Sequence, residues 1–263
     1  MRKQRIVALL GFGLLGLVAT AGPAQAHFPW LNADNYRPHI GETPKLNIGW
    51  GHRYPLGSFL RMKDVENMSL RTPDGQEAKL QSIDDVEFKP EEALAKAGVY
   101  TIAAQRKSGF YTKTTEGGKR QSKEGLENVL RCSKSHMNMK ALLAVGDADQ
   151  DQDKGIDTTP VGHSLEIIPQ ANPASLQAGD YFSVQLLLHG KPYKSKIFAT
   201  YMGFSTEKDV FAYTAKTDQK GIGKIRILQP GVWLIKAEYE EPYSDQQVCD
   251  VESFSATLTL EVP

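Results

Sequence analysis

Cysteine is scarce in this chain of 263 residues: only Cys132 and Cys249 occur, and neither belongs to a CxxC pair. That argues against a thiolate metal centre, which draws its ligands from such pairs. A surplus of charge is missing too. The 31 Lys and Arg are matched by 31 Asp and Glu, so the basic excess of a nucleic-acid binder is not there. After residue 26 no apolar stretch reaches the length of a membrane span, and no direct membrane insertion is expected once the leader is removed. GxSxG, HExxH and P-loop patterns are absent, and the carboxylates follow no spacing from which a glycosidase pair can be read. The chain is therefore not read as an enzyme.

What is present begins at the N-terminus. Arg2, Lys3 and Arg5 precede an apolar run from Ile6 to Ala19, and Ala24-Gln25-Ala26 has the small-x-small pattern of a signal-peptidase site. We expect residues 1–26 to be a cleaved signal peptide. Gly11, Gly13 and Gly16 match a dinucleotide-binding spacing, but no strand precedes them, and the match is rejected. No cysteine follows Ala26 directly, so a lipid anchor is not expected. In an exported chain an even pair of cysteines reads as a disulfide. Joining Cys132 to Cys249 would close a long loop and constrain the unfolded chain by roughly 5 kcal/mol on the loop-entropy model.

Period-two patterning dominates the rest. Phe254, Ala256, Leu258, Leu260 and Val262 alternate with Ser255, Thr257, Thr259 and Glu261, the mark of a half-buried antiparallel strand. Phe182, Val184, Leu186 and Leu188 repeat the pattern, and "QPG" at 229–231 is a turn between two further strands. The expected fold class is all-β, with two β-sandwich domains. The first covers 27–146 and carries a polar, glycine-containing insertion at 114–129. An acidic linker covers 147–162, and an immunoglobulin-like sandwich covers 163–263. "PEEALAKAG" at 90–98 predicts a short helix ended by Gly98. Asp149, Asp151 and Asp153 mimic a calcium loop, but the glycine is one place late and Pro160 stands where the loop needs Glu.

Cleavage after Ala26 would leave His27 first. Its α-amine and imidazole, with ordinary pKa values of about 8 and about 6.5, form a two-nitrogen chelate with little proton penalty at neutral pH. Nitrogen donors suit Ni, Co, Cu and Zn. The best partner is His52 in "GWGHRYPLG", at the end of a strand and flanked by glycines. His39, in a turn, and Glu238, after an apolar strand beside Tyr239, are possible additional ligands. His136, His163 and His189 read as structural or surface residues, since isolated histidines rarely ligate.

"AHFPWLN", "GWGHRYPLG", "GFYTKTTEGGKRQSKEGL", "LEIIPQANPASLQAGD", "GKPYKS", "TDQKGIGKIRILQPGVWLIKAEYE" and "SFSATLTLEV" together resemble the DUF4198 family across the whole processed chain. The resemblance implies a periplasmic protein of β-sandwich domains that binds a transition metal ion, Ni or Co first and Cu or Zn next. It also implies delivery of the ion to an ABC-type membrane transporter. The family's first histidine corresponds to His27 and its Gly-His to Gly51-His52. Members often carry a histidine where Glu238 and Tyr239 stand here. Two other readings compete. One is a non-enzymatic envelope interaction module. The other is a histidine-brace copper redox protein.

Overall fold

The computed structural model describes residues 27–146 and 156–263. The expected signal peptide, and residues 147–155 of the expected linker with their calcium-like aspartates, lie outside the described residues. The first half contributes β1 (Phe28–Ala33), β2 (Leu46–Gly51), β3 (Ser58–Phe59), β4 (Val65–Arg71), β5 (Glu77–Ala78), β6 (Leu80–Ser82), β7 (Glu87–Pro90), β8 (Gly98–Thr114), β9 (Gly117–Lys119) and β10 (Val129–Val145). The second contributes β11 (Leu165–Pro169), β12 (Tyr181–Leu188), β13 (Lys191–Pro192), β14 (Lys196–Tyr201), β15 (Tyr213–Lys216), β16 (Ile222–Arg226), β17 (Gly231–Pro242) and β18 (Val251–Val262). Among the described residues no helix is long and apolar enough to cross a membrane.

The chain is all-β, as the alternation predicts, and its sheets pack as sandwich-like bodies. A central sheet runs β15-β14-β17-β18-β10-β8-β4-β5, with β9 beside β8. It joins the two halves through parallel pairing of β10 and β18, with Ser133 opposite Val251 and Ala141 opposite Thr259. A second sheet, β1-β2-β7-β6 with β3 on β2, packs over one face of the central sheet. Leu31, Leu46, Ile48 and Phe88 there meet Ile102, Met139, Ala141 and Leu143. A third sheet, β11-β12-β13 with β16 on β12, packs over the opposite face. Phe182, Val184 and Leu186 there meet Trp233, Ile235, Ala256 and Leu258. Side chains of β10 alternate between these cores, Leu142 to one and Leu143 to the other, because successive residues of a strand point to opposite faces.

Three local expectations change. First, β18 is not half-buried. Its polar face is covered by β1, and Thr257 and Thr259 are 2% and 0% exposed. Their hydroxyls donate to the carbonyls of Pro29 and Leu31, so hydroxyl-rich alternation here marks a strand-on-strand contact rather than solvent. Second, no helix forms at 90–98. Leu94 is buried, and its amide bonds to Glu42 while that of Glu91 bonds to Lys79. A helix this short is marginal alone and yields to such contacts. Third, the insertion at 114–129 folds back on the second half. The Lys123 amide donates to Val248, and its ammonium pairs with Asp250.

Cys132 and Cys249 form a disulfide with 5.1 Å between their Cα atoms, so the described residues hold no free thiol. The bridge ties the start of β10 to the segment entering β18, where the Asp250 carboxylate accepts a bond from the Cys132 amide. Residues 156–162 are also held. Arg71 donates to Asp157, Thr159 and Pro160, and the Glu166 carboxylate accepts from the amides of Val161, Gly162 and His163.

Candidate functional site

Strands β1 and β2 are antiparallel, with Phe28 opposite Gly51. One step further, that register sets His27 against His52. Their ring centroids lie 4.3 Å apart at 47°. Trp50 shares a strand face with His52 through the two-residue period, and its indole stacks on the His27 ring at 5.6 Å and 4°. Arg106 of β8 covers the Trp50 ring at 5.1 Å. The two histidines named from sequence are therefore brought together on an aromatic platform.

Two glycines let this corner close. A Cβ at Gly49 would lie 2.2 Å from the buried Trp30 indole, and one at Gly57 would lie 2.5 Å from the Trp50 carbonyl. The turn after His52 then packs Tyr54 edge-on to Trp30 at 5.7 Å.

His52 is gripped from the other half of the chain. Asp209, in the loop between β14 and β15, approaches its Nδ1 to 3.1 Å, and the Asp209 amide donates to the His52 carbonyl at 2.9 Å. Both side chains are largely buried, 17% and 9% exposed. A carboxylate on one ring nitrogen fixes the tautomer and leaves Nε2 with the lone pair, the arrangement that supports metal-ligating histidines. Asp209 holds a left-handed φ of 56°, which Asp and Asn tolerate best among residues with a Cβ. The exposed His27 ring is held below the ordinary histidine pKa by partial desolvation first, then by His52 and Lys208, against the opposing pull of Asp209. A ring kept neutral near pH 7 is ready to donate its lone pair.

The other candidates are placed differently. Glu238 and His27 line one cleft of about 570 Å³. The Glu238 carboxylate is engaged by Lys236 at 2.7 Å, and Lys236 itself is buried against the Phe28 ring at 4.2 Å. His39 lies past the far end of β1, about 20 Å of strand from His27 at roughly 3.3 Å per residue. It sits in an exposed turn, where its amide donates to Glu42, and is not brought to the pair.

The remaining histidines hold structure. His136 sits at a bulge of β10, bonded to Ser108 at 2.9 Å and Glu252 at 2.7 Å. His163 is buried, and desolvation with the nearby Lys140 pushes its pKa down to about 4 against the pull of Glu166. His189 occupies the β12–β13 turn, edge-on to Phe254. Among the described residues no three or more His, Cys, Asp or Glu side chains converge as a metal cage. The His27–His52 corner thus offers two ring nitrogens, with an α-amine added if processing frees it.

Sequence reasoning missed Asp209. It stands 157 residues from His52, in a loop without a motif, and only the folded chain joins them. Trp50 was within reach, because a residue two places from His52 on a strand must share its face.

Among curated proteins none matches this chain. Solved structures similar to it include a variant of Salmonella alpha-2-macroglobulin, at 12% identity over 95% of this chain and 16% of that one, with a TM-score of 0.27. A DUF4785 family protein from Legionella pneumophila is 10% identical over 78% of this chain and 50% of that one, with a TM-score of 0.23. Murine CEACAM1b is 7% identical over 90% of this chain and 98% of that one, with a TM-score of 0.21. The chain thus spans about a sixth of the first and half of the second. The model of DUF4198, a domain of unknown function, matches residues 24–241, and the chain belongs to that family.

Proposed function

We propose that this protein is a periplasmic transition-metal-binding protein, carrying Ni or Co, with Cu or Zn as alternatives, to a membrane uptake system of ABC type. The carrying observation is the pairing of His27 with His52, with Asp209 behind His52. Cleavage after Ala26 would add the α-amine of His27, for three nitrogens in all. Such a set leaves coordination positions open for exchange, which suits a carrier better than a permanent structural site. The preference order Cu over Ni over Co holds at any nitrogen site, so the cargo is set by supply as much as by the protein.

Calorimetric titration of the processed protein with Ni²⁺ tests this, repeated on a form with one alanine ahead of His27. One-to-one binding, weakened at least tenfold by the extension, is expected. Equal binding by both forms removes the α-amine from the site, and no binding by either refutes the reading. The same histidine pair also fits a copper redox centre. Ascorbate-dependent oxygen consumption by the Cu-loaded protein separates that reading from carriage.

A further inference from the structure

The floor beneath the histidine corner is one row of the central sheet. Arg106 of β8, Met137 of β10, Ser255 of β18 and Glu238 of β17 are register partners in that order. Register partners point to the same face and neighbouring strands lie about 4.8 Å apart, so Met137 is one strand spacing from Arg106 and one from Ser255. Strand β1 crosses above this row. Thr257 and Thr259 bond to the carbonyls of Pro29 and Leu31, and the same offset sets residue 27 over Ser255. The Arg106 guanidinium lies against the Trp50 ring at 5.1 Å, and the His27 ring stacks on Trp50 at 5.6 Å. The His27 ring is thus held over the interval between Arg106 and Ser255. Met137 fills that interval and lines the same cleft as His27.

Packing does not account for Met137. It is only 8% exposed, yet among the described residues it belongs to none of the apolar cores. Met139, two places on and on the same face, is fully buried with Ile102 and Leu143. The neighbours of Met137 in the row are a cation and a hydroxyl instead. The carboxylates beside the corner are engaged, Asp209 by His52 at 3.1 Å and Glu238 by Lys236 at 2.7 Å. The side-chain donors left at the corner carry no charge: imidazole nitrogens and a thioether. Arg106 on one side and the buried Lys236 on the other add positive charge. The cost of desolvating an ion rises with the square of its charge, so such a corner takes a monovalent ion more readily than a divalent one. A soft thioether selects Cu(I), which imidazole also suits.

We propose that Met137 is a third side-chain ligand beside His27 and His52, and that its thioether makes the corner a Cu(I) site. This rests on the metal-carrier reading above and names the ion that the donor set selects.

Competition with the chromophoric chelator bicinchoninate tests it, on the processed full chain under argon with ascorbate as reductant. The described residues hold no free thiol, so no cysteine thiolate among them contributes to the Cu(I) signal. Met137→Leu nearly conserves volume and should keep the fold, which the urea midpoint checks. It should lower Cu(I) affinity roughly tenfold or more, while Ni²⁺ affinity, read by calorimetry, stays within about twofold. Equal losses for both ions, or no loss for Cu(I), overturn the proposal. Copper-edge X-ray absorption of the unsubstituted protein should show a sulfur neighbour, and a shell of nitrogen alone overturns the proposal even where the variant misfolds. Ni²⁺ binding without Cu(I) binding overturns it and leaves the carrier reading standing. Binding of neither ion overturns both.

Discussion

Asp209→Asn tests the corner most directly. The carboxylate stands 3.1 Å from His52 Nδ1, on a side chain only 9% exposed. Asn keeps an acceptor oxygen and tolerates the left-handed φ of 56°, so the loop is preserved. What it removes is the negative charge that holds the His52 ring in place and fixes its tautomer. Losing a partner of this kind costs about 10- to 100-fold in metal affinity. The amide should fall near the lower end, about 1.4 kcal/mol, since one hydrogen bond survives. Asp209→Ala should approach the upper end and add about 1–2 kcal/mol of backbone strain at the positive φ. Proton competition acts the other way. Asp209 raises the His27 pKa, so removing it lowers that value further and makes the ring easier to metallate in mild acid. The affinity deficit should therefore be larger at pH 8 than at pH 6. Isothermal titration with Ni²⁺ at both pH values reads this, with thermal unfolding of the metal-free proteins as the control for folding. Unchanged affinity in a well-folded Asp209→Asn protein would refute the supporting role of Asp209.

Two further outcomes bear on the scaffold. The folded chain holds His163 near pKa 4 against 6.5 for the free residue, so the unfolded chain takes up a proton that the folded site refuses. That stability is full above about pH 6.5 and declines as pH falls toward 4, by about 3 kcal/mol in total, and urea midpoints should fall less over that range in His163→Gln. Gly49→Ala would drive a Cβ to 2.2 Å from the fully buried Trp30 indole. Overpacking of this kind costs about 1–3 kcal/mol, and an unchanged urea midpoint would show that the corner is looser than its contacts imply.

Alternation made the strands legible, since a period of two needs no tertiary knowledge. It did not reveal how those strands are shared. Thr257 and Thr259 read as a solvent face because hydroxyls satisfy water and a neighbouring backbone equally well, and only the arrival of β1 decides between them. "PEEALAKAG" read as helix from local propensity, but the insertion of Leu94 into the core outweighs about two turns of marginal helix. The disulfide was readable because an expected signal peptide and an even cysteine count limit the alternatives. His27 and His52 were each readable from their local setting, and the β1–β2 register explains why they meet.

Asp209 was not readable, and the reason bears on function. His27 and His52 come from the first half of the chain and their carboxylate support from the second, so the corner exists only when the halves are packed together. The same packing is enforced by β1 lying over β18 and by the Cys132–Cys249 bridge at the far side of the parallel β10–β18 pair. If the corner holds a metal ion as proposed, its affinity and the union of the halves are linked in both directions. Whatever loosens the β14–β15 loop from His52 weakens the site, and a bound ion, by holding His27 against His52, strengthens the contact with Asp209.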